Sequence, residues 1–351
     1  MKVAVALLAA VLCGLASAGC GGDGAEPGAP STGATLVLDF QPNAVHSGLY
    51  VAQERGLFAE EGLDLDIVEP TGTADGAKLL EAGRADFAIL DVNDLGIARR
   101  RGLDVVAVAA IVQRPLAAVI ASDREQIAEP AELAGATVGV TGVPSDDAVL
   151  QTVLAGGGLT PADVEIETVG FQAAALLASG SLDAATAFWN AEGVELRQQG
   201  ILTREFRVDE FGAPRYPELV LAASGPEVDA GPPQRGSILC GLLLGLERGY
   251  EVLEEDPSAA VDDLVAQIPE VNTDSQSAQL AELVAARAFS PDVEGSRPSV
   301  ALDSRAVRAW LRWAEANGVV PRSEAGPGDV LGGFRADLLP ACAGPPPPPN
   351  P

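Results

Sequence analysis

Between residues 34 and 224 the chain alternates short apolar or β-branched runs with amphipathic helical stretches, and it does so twice. That alternation excludes sandwiches and bundles, because a strand followed by a crossover helix and another strand builds a mostly parallel sheet with helices on both faces. In the first series strands are expected at 35–40, 63–68, 86–90, 105–112 and 116–121, with helices at 45–60, 76–83 and 94–101. The run 63–68 alternates apolar and acidic residues with period two, the mark of a half-buried strand. The pattern restarts with strands at 137–140, 164–169, 184–188, 206–209 and 219–223 and helices at 145–155, 173–179 and 192–199. Two series imply two α/β lobes. From residue 232 onward the spacing turns helical, over 237–254, 258–267, 275–288 and 304–317. No fixed-period repeat is visible, which argues against a solenoid.

The 351 residues suffice for two lobes with real cores. Apolar residues make up 47%, as in globular chains, but aromatics only 4%, so Ala, Val and Leu must fill the core and each aromatic is informative. A net charge of −28 excludes nucleic acid or an anionic membrane surface as partner, because both need a positive face. It reads as a solvated, solubilising surface. Lysine is confined to Lys2 and Lys78, so arginine supplies nearly all the basic groups.

The first residues read as a targeting segment. Lys2 precedes an apolar stretch over 3–16, too short to span a bilayer comfortably. Ser17, Ala18, Gly19 and Cys20 then resemble a bacterial lipobox, with Cys20 lipidated and 1–20 removed as a lipoprotein signal peptide. Ser17 stands where Leu is preferred, and an ordinary signal-peptidase cut after Ala18 is the alternative. Residues 21–33, rich in Gly, Pro and Ser, fit a flexible tether. Either reading puts the protein outside the cytoplasmic membrane. Cys13 leaves with the signal, and Cys240 and Cys342 remain, either paired in an oxidising compartment or buried as free thiols. Their isolation excludes a Cys-rich metal cluster, and no metal or cofactor is expected. Residues 344–351, with a proline run, read as a disordered tail.

Common enzyme signatures are missing: no phosphate-binding G-x-x-x-x-G-K-[ST] loop, no H-E-x-x-H, no convincing G-x-S-x-G, and a single histidine, His46. A binding role accounts for this more simply than an unusual enzyme. Two constellations stand out. In the first, Phe40, Asn43 and His46 follow a strand and lead into a helix, where open α/β sheets hold ligands. Asn43 equally suits a helix cap and His46 a satisfied buried histidine. In the second, Trp189, Asn190 and Glu192 follow the strand ending at Phe188. An indole face, an amide and a carboxylate suit a planar nitrogen heterocycle, while Trp189 as core and Glu192 as a first-turn acid favoured by the helix dipole is the structural reading. A weaker segment, 142–147, has Ser145 as the expected cap and amides that could receive an anionic or carbonyl group.

Residues 38–53, Gly56-Leu57-Phe58 and Gly62-Leu63-Asp64 resemble the opening of the thiamine-pyrimidine-biosynthesis-like family of periplasmic binding proteins, and segments 83–89, 106–115, 142–146, 189–195 and 218–221 continue the resemblance in order. The resemblance implies a type II periplasmic-binding fold: two doubly wound lobes joined by two hinge strands, 34–121 plus 223–343 as lobe one with the C-terminal helices, and 122–222 as lobe two. It implies that Asn43, His46, Trp189, Asn190 and Glu192 line the cleft, with Asp91 at another cleft position. Phe40 stands where the family commonly has Trp, and 90–92 departs from the usual segment. The implied role is the extracytoplasmic, lipid-anchored, monomeric component of an ABC importer, working with permease and ATPase subunits. Formylaminopyrimidine or hydroxymethylpyrimidine is the expected ligand, with riboflavin or a sulfonate as alternatives. A pyrimidine-synthase-like enzyme, or an extracellular sensor, is the rival; the eukaryotic synthases use a cysteine-rich, iron-linked motif that this chain lacks.

Overall fold

In a computed structural model of the chain, residues 32–70, 75–122, 127–229, 234, 236–293, 295–322 and 328–344 are described. The signal segment, Cys20, the tether up to residue 31 and the proline run from 345 lie outside the described residues. The first series comprises β1 (Thr32–Val37), α1 (Ser47–Glu54), α2 (Leu57–Glu60), β2 (Leu63–Val68), α3 (Asp75–Glu81), β3 (Phe87–Asp91), α4 (Val92–Arg100) and β4 (Val105–Val112). The second comprises β5 (Ala117–Ser122), β6 (Thr137–Val140), α5 (Pro144–Gly156), β7 (Glu165–Thr168), α6 (Ala173–Ser179), β8 (Ala184–Phe188), α7 (Glu192–Gln198) and β9 (Thr203–Arg207). There follow β10 (Leu219–Ser224), α8 (Gly225–Asp229), α9 (Ile238–Glu255), α10 (Pro257–Gln267), α11 (Thr273–Ala285), α12 (Ser304–Ala316), α13 (Gly328–Leu331) and α14 (Leu338–Ala343). None of the described helices is long and apolar enough to cross a membrane.

The strands form two five-stranded sheets, ordered β2-β1-β3-β10-β4 and β7-β6-β8-β5-β9. In the first, β1 runs parallel to β2 and β3, while β10 is antiparallel to β3 and β4. In the second, β6 is parallel to β7 and β8, while β5 is antiparallel to β8 and β9. Each reversed strand is the one that has just arrived from the other sheet. The chain therefore passes between sheets twice, over 113–116 and 208–218. Prolines mark both passages: Pro115 in the first, Pro214 and Pro217 in the second. Each lacks the N–H that a ladder needs, so neither passage continues as a strand.

This pairing corrects the expected partition. The strand expected over 116–121 hydrogen-bonds into the second sheet, and the one over 219–223 into the first. The tether is shorter too, because Thr32 and Gly33 already pair with Leu63 and Asp64. The expected helix over 45–60 is broken at Gly56, whose φ of 70° is open to glycine at no steric cost.

All eight residues of β4 are buried, as are four of the five in β3, which fits strands covered by helices on both faces. Helix α9 packs on α1 at very close range. A Cβ on Gly249 would collide with the Gly48 carbonyl, and one on Gly48 would enter the Tyr250 ring, so only glycines permit this crossing. Cys240 in α9 and Cys342 in α14 form a disulfide, Cα to Cα 5.2 Å, resolving the pairing in favour of the bond.

Candidate ligand-binding site

The carboxyl ends of parallel strands, where the chain turns into a helix, are where open α/β sheets present their polar groups. β1 ends at Val37, three residues earlier than expected, leaving Asp39 and Phe40 in the bend that follows. Asn43 is the helix cap: its Oδ1 accepts from Val45 N at 3.0 Å. Its own N–H donates to His46 Nδ1 at 3.2 Å, so the proton of the ring sits on Nε2, which donates to Asp39 Oδ1 at 2.8 Å. His46 is wholly buried and acts as the brace of this turn. The Tyr250 hydroxyl donates to Val45 O at 2.8 Å from beneath. Phe40 is left 48% exposed.

At the end of β8 the arrangement differs from expectation. Trp189 is fully buried, its Nε1 donates to Pro115 O at 3.0 Å, and the Arg207 guanidinium lies 4.0 Å from its ring centroid. The stacking role expected of Trp189 is thereby corrected: its face is already taken by a cation–π contact, and it anchors the strand end against the first passage. Phe188, one residue earlier and therefore on the opposite side of the strand, is 39% exposed. Asn190 is buried, and its Oδ1 has no hydrogen-bond partner among the described residues. Glu192 opens α7 and accepts from Phe188 N at 3.0 Å, while burial pushes its carboxyl above the ordinary range.

One further expectation changes. Ser145 is not the cap of α5: the helix starts at Pro144 with Val143 before it and no side-chain cap. Pro144 fits the first helical position because no N–H is needed there. Asp146 takes over, its Oδ2 accepting from Thr141 N and Thr141 Oγ1 at 2.6 Å each and from Gly142 N at 3.2 Å. Asp91, expected as a cleft residue, is the cap of α4, accepting from Asn93 N at 2.6 Å. Its carboxyl is hydrogen-bonded to that of Glu218, and burial with the neighbouring Glu218 and Asp94 charges holds Asp91 well above the usual range. Glu218 also accepts from Leu116 N at 2.8 Å and is pushed up to about 7, mainly by burial. The sequence reading missed Glu218, Asp146, Phe188 and Phe171; in a chain so poor in aromatics, a Phe just past a strand end was the available signal.

Phe40, Val143 and Phe171 each lie three residues beyond β1, β6 and β7, and Phe188 closes β8; all four are exposed. Exposed apolar side chains at strand ends are available for contact with a flat apolar ring. A separate concavity of about 380 Å³, lined by Arg100, Arg101, Pro144, Pro321 and Arg322 among others, includes none of these side chains. Among the described residues no group of three or more His, Cys, Asp or Glu side chains is placed to hold a metal ion.

The sequence profile of NMT1/THI5-like proteins matches residues 43–260. The chain belongs to the NMT1/THI5-like family. It is 36% identical over 238 residues, 68% of its length and 71% of the relative's, to the formylaminopyrimidine-binding protein of Halalkalibacterium halodurans. It is 28% identical over 165 residues, 47% of its length and 48% of the relative's, to the 4-amino-5-hydroxymethyl-2-methylpyrimidine phosphate synthase THI5 of Saccharomyces cerevisiae. Among solved structures, the periplasmic aliphatic sulphonate-binding protein SsuA of Escherichia coli superposes with a TM-score of 0.68 at 14% identity, over 89% of this chain and 99% of that one. The fold is thus that of type II periplasmic binding proteins, with two α/β lobes and two connecting passages.

In this NMT1/THI5-like chain the polar groups at the strand ends are mostly acceptors. The arginines nearby are engaged: Arg114 with Asp209 at 2.7 Å, Arg207 with Glu205 at 3.3 Å, and Arg215 with the carbonyls of Arg287 and Ser290 at 2.5 and 3.2 Å. Such a site can hold a planar molecule by its faces and receive N–H donors along its edge.

Proposed function

We propose that this family member is the extracytoplasmic solute-binding component of an ABC importer and that it closes two lobes around a thiamine pyrimidine precursor, formylaminopyrimidine or hydroxymethylpyrimidine. The observation that carries this is the exposure of Phe40 just past β1 and of Phe188 at the end of β8, one from each sheet, with the unpartnered Asn190 Oδ1 two residues beyond Phe188. The ring stacks on Phe40 from one lobe and on Phe188 from the other. Asn190 Oδ1 accepts from an exocyclic amino group, and the Glu192 carboxyl, held above the ordinary range, shares a proton with a ring nitrogen. Asn43 and His46 keep the Asp39–Phe40 turn in place. Lobe one comprises 32–112 with the chain from 219 onward, and lobe two 117–207, with 113–116 and 208–218 as the hinge. Because the ligand touches both lobes, it stabilises the closed arrangement over the open one.

The relative of known ligand supports the pyrimidine, and Cys20 with its preceding segment supports export with a lipid anchor; in this reading the protein acts as a monomer beside the permease and ATPase subunits. The family also includes synthases, but this chain has a single histidine and lacks the cysteine-rich motif, so binding fits its side chains better than synthesis. The test is a melting-temperature screen followed by calorimetry. Formylaminopyrimidine and hydroxymethylpyrimidine are expected to raise the melting temperature by mass action, and riboflavin and alkanesulfonates to leave it unchanged. No response to either pyrimidine, or a tighter fit to riboflavin or a sulfonate, refutes the proposal.

A further inference from the structure

Anion sites in α/β folds use the unpaired N–H groups at strand-to-helix junctions, where the amides and the helix dipole favour negative charge. In this chain several of the loop amides at these junctions are already occupied by the protein's own acceptors, although α5 and α7 begin without a side-chain cap. After β1, Val45 N is bound by Asn43 Oδ1 and Asn43 N by His46 Nδ1. After β3, Asn93 N goes to Asp91 Oδ1 and Val92 N to Glu218 O at 2.9 Å. After β6, Thr141 N and Gly142 N go to Asp146 Oδ2, and Val143 N to Thr141 Oγ1 at 3.3 Å. At the end of β8, Phe188 N goes to Glu192 Oε2. Three of these four junctions are closed by a carboxylate, and Arg114, Arg207 and Arg215 are engaged elsewhere. Among the described residues, two buried side-chain atoms at these junctions have no hydrogen-bond partner: Asn190 Oδ1, an acceptor that asks for a donor, and Ser47 Oγ at the start of α1, which can donate or accept.

We infer that the site selects by charge: it admits an uncharged or cationic heterocycle presenting N–H donors and refuses phosphate esters of the same ring, sulfonates and free inorganic anions, with Asp146 closing the β6–α5 junction to them. The inference rests on the ligand position proposed above. It gives a reason why a fold shared with a sulphonate-binding protein can serve a different ligand class. An anion placed against these junctions meets loop amides already bound to Asn43, Asp91, Asp146 and Glu192 and must displace those acceptors.

The experiment uses the full chain in two arms. Calorimetry compares 4-amino-5-hydroxymethyl-2-methylpyrimidine with its monophosphate, and the phosphate is expected to bind at least about 100-fold more weakly. Affinities within a few-fold of each other overturn the charge filter. The second arm is independent of the pyrimidine and reads melting temperature in inorganic phosphate and in ethanesulfonate at constant ionic strength. The unmodified protein is expected to show no change, and a saturable rise overturns the inference. Asp146→Ala, which frees Thr141 N and Gly142 N, is expected to convert that flat response into a rise; a folded variant that stays flat removes Asp146 from the role. Asp146→Asn, which takes away only the charge, is read in its place if the alanine variant does not fold, with a smaller rise expected. Failure of both pyrimidines to bind, with the anion arm as expected, refutes the proposed ligand and leaves the charge filter standing.

Discussion

Glu218 stands on the second passage between the lobes, holds the first passage through Leu116 N, and shares a hydrogen bond with Asp91 at the end of β3. Asp94 and Asp209 add negative charge around the pair, Tyr216 packs against it, and Arg114 offsets Asp209. Because the folded state raises the Glu218 carboxyl from 4.5 to about 7, the folded protein keeps a proton that the unfolded chain releases. The stability tied to this proton is complete below the unfolded value and is lost as pH rises through about 7. Its size is on the order of 3 kcal/mol. Denaturant unfolding on either side of that pH is expected to show the loss, and Glu218→Gln, which keeps the bond from Leu116 N, is expected to reduce it, leaving the part that belongs to the buried Asp91 carboxyl. Two neighbouring aromatics separate structure from binding. Trp189→Ala is expected to cost about 3–5 kcal/mol of stability, as for a fully buried indole. Phe188→Ala should leave the unfolding midpoint nearly unchanged and weaken pyrimidine binding about tenfold in calorimetry.

Among the elements, the C-terminal helices position the site from behind. α9 carries Tyr250 under the first turn, and α12 reaches both halves: Trp310 Nε1 donates to Asn93 Oδ1 at 2.9 Å in the first turn of α4, and Trp313 Nε1 donates to Thr152 Oγ1 at 3.2 Å in α5. Trp313 also stacks on Tyr216 of the second passage, centroids 5.6 Å apart. The disulfide between α9 and α14 closes a loop across a separation of 102 residues, and its chief effect is to restrict the unfolded chain. The Cys240→Ala, Cys342→Ala double variant is expected to lose about 4 kcal/mol in urea unfolding. Reductant should produce a similar loss in the unmodified protein and none in the variant.

At the scale of the molecule, lobe two meets α11 through charge. Glu282 faces Arg197 of α7 at 3.3 Å and Arg207 of β9 at 3.6 Å, and Gln198 donates to Asp274 O at 3.2 Å. Partly exposed pairs of this kind contribute at most about 1 kcal/mol each. They bias closure only weakly, leaving ligand contacts to decide it. Glu282→Ala is therefore expected to lower ligand affinity about threefold and to enlarge the ligand-free radius of gyration in small-angle scattering. An unchanged radius and affinity would show that the α11 contacts play no part in closure.

Much of the local structure was legible because its causes are local. Strands over 63–68, 105–112, 137–140 and 184–188 and the helix over 173–179 lie where periodicity put them, and Asn43 caps its turn through bonds spanning only three residues. The sequence by itself determined the α/β class, the two series and the strand-end segments where polar and aromatic residues gather. Tertiary structure alone decided which sheet each returning strand joins, that Cys240 meets Cys342, that Arg207 arrives over Trp189 and turns it into core, and that Glu218 finds Asp91. Period and capping depend on neighbours a few residues apart, whereas these four outcomes depend on partners brought together by the path of the whole chain, which no local pattern encodes.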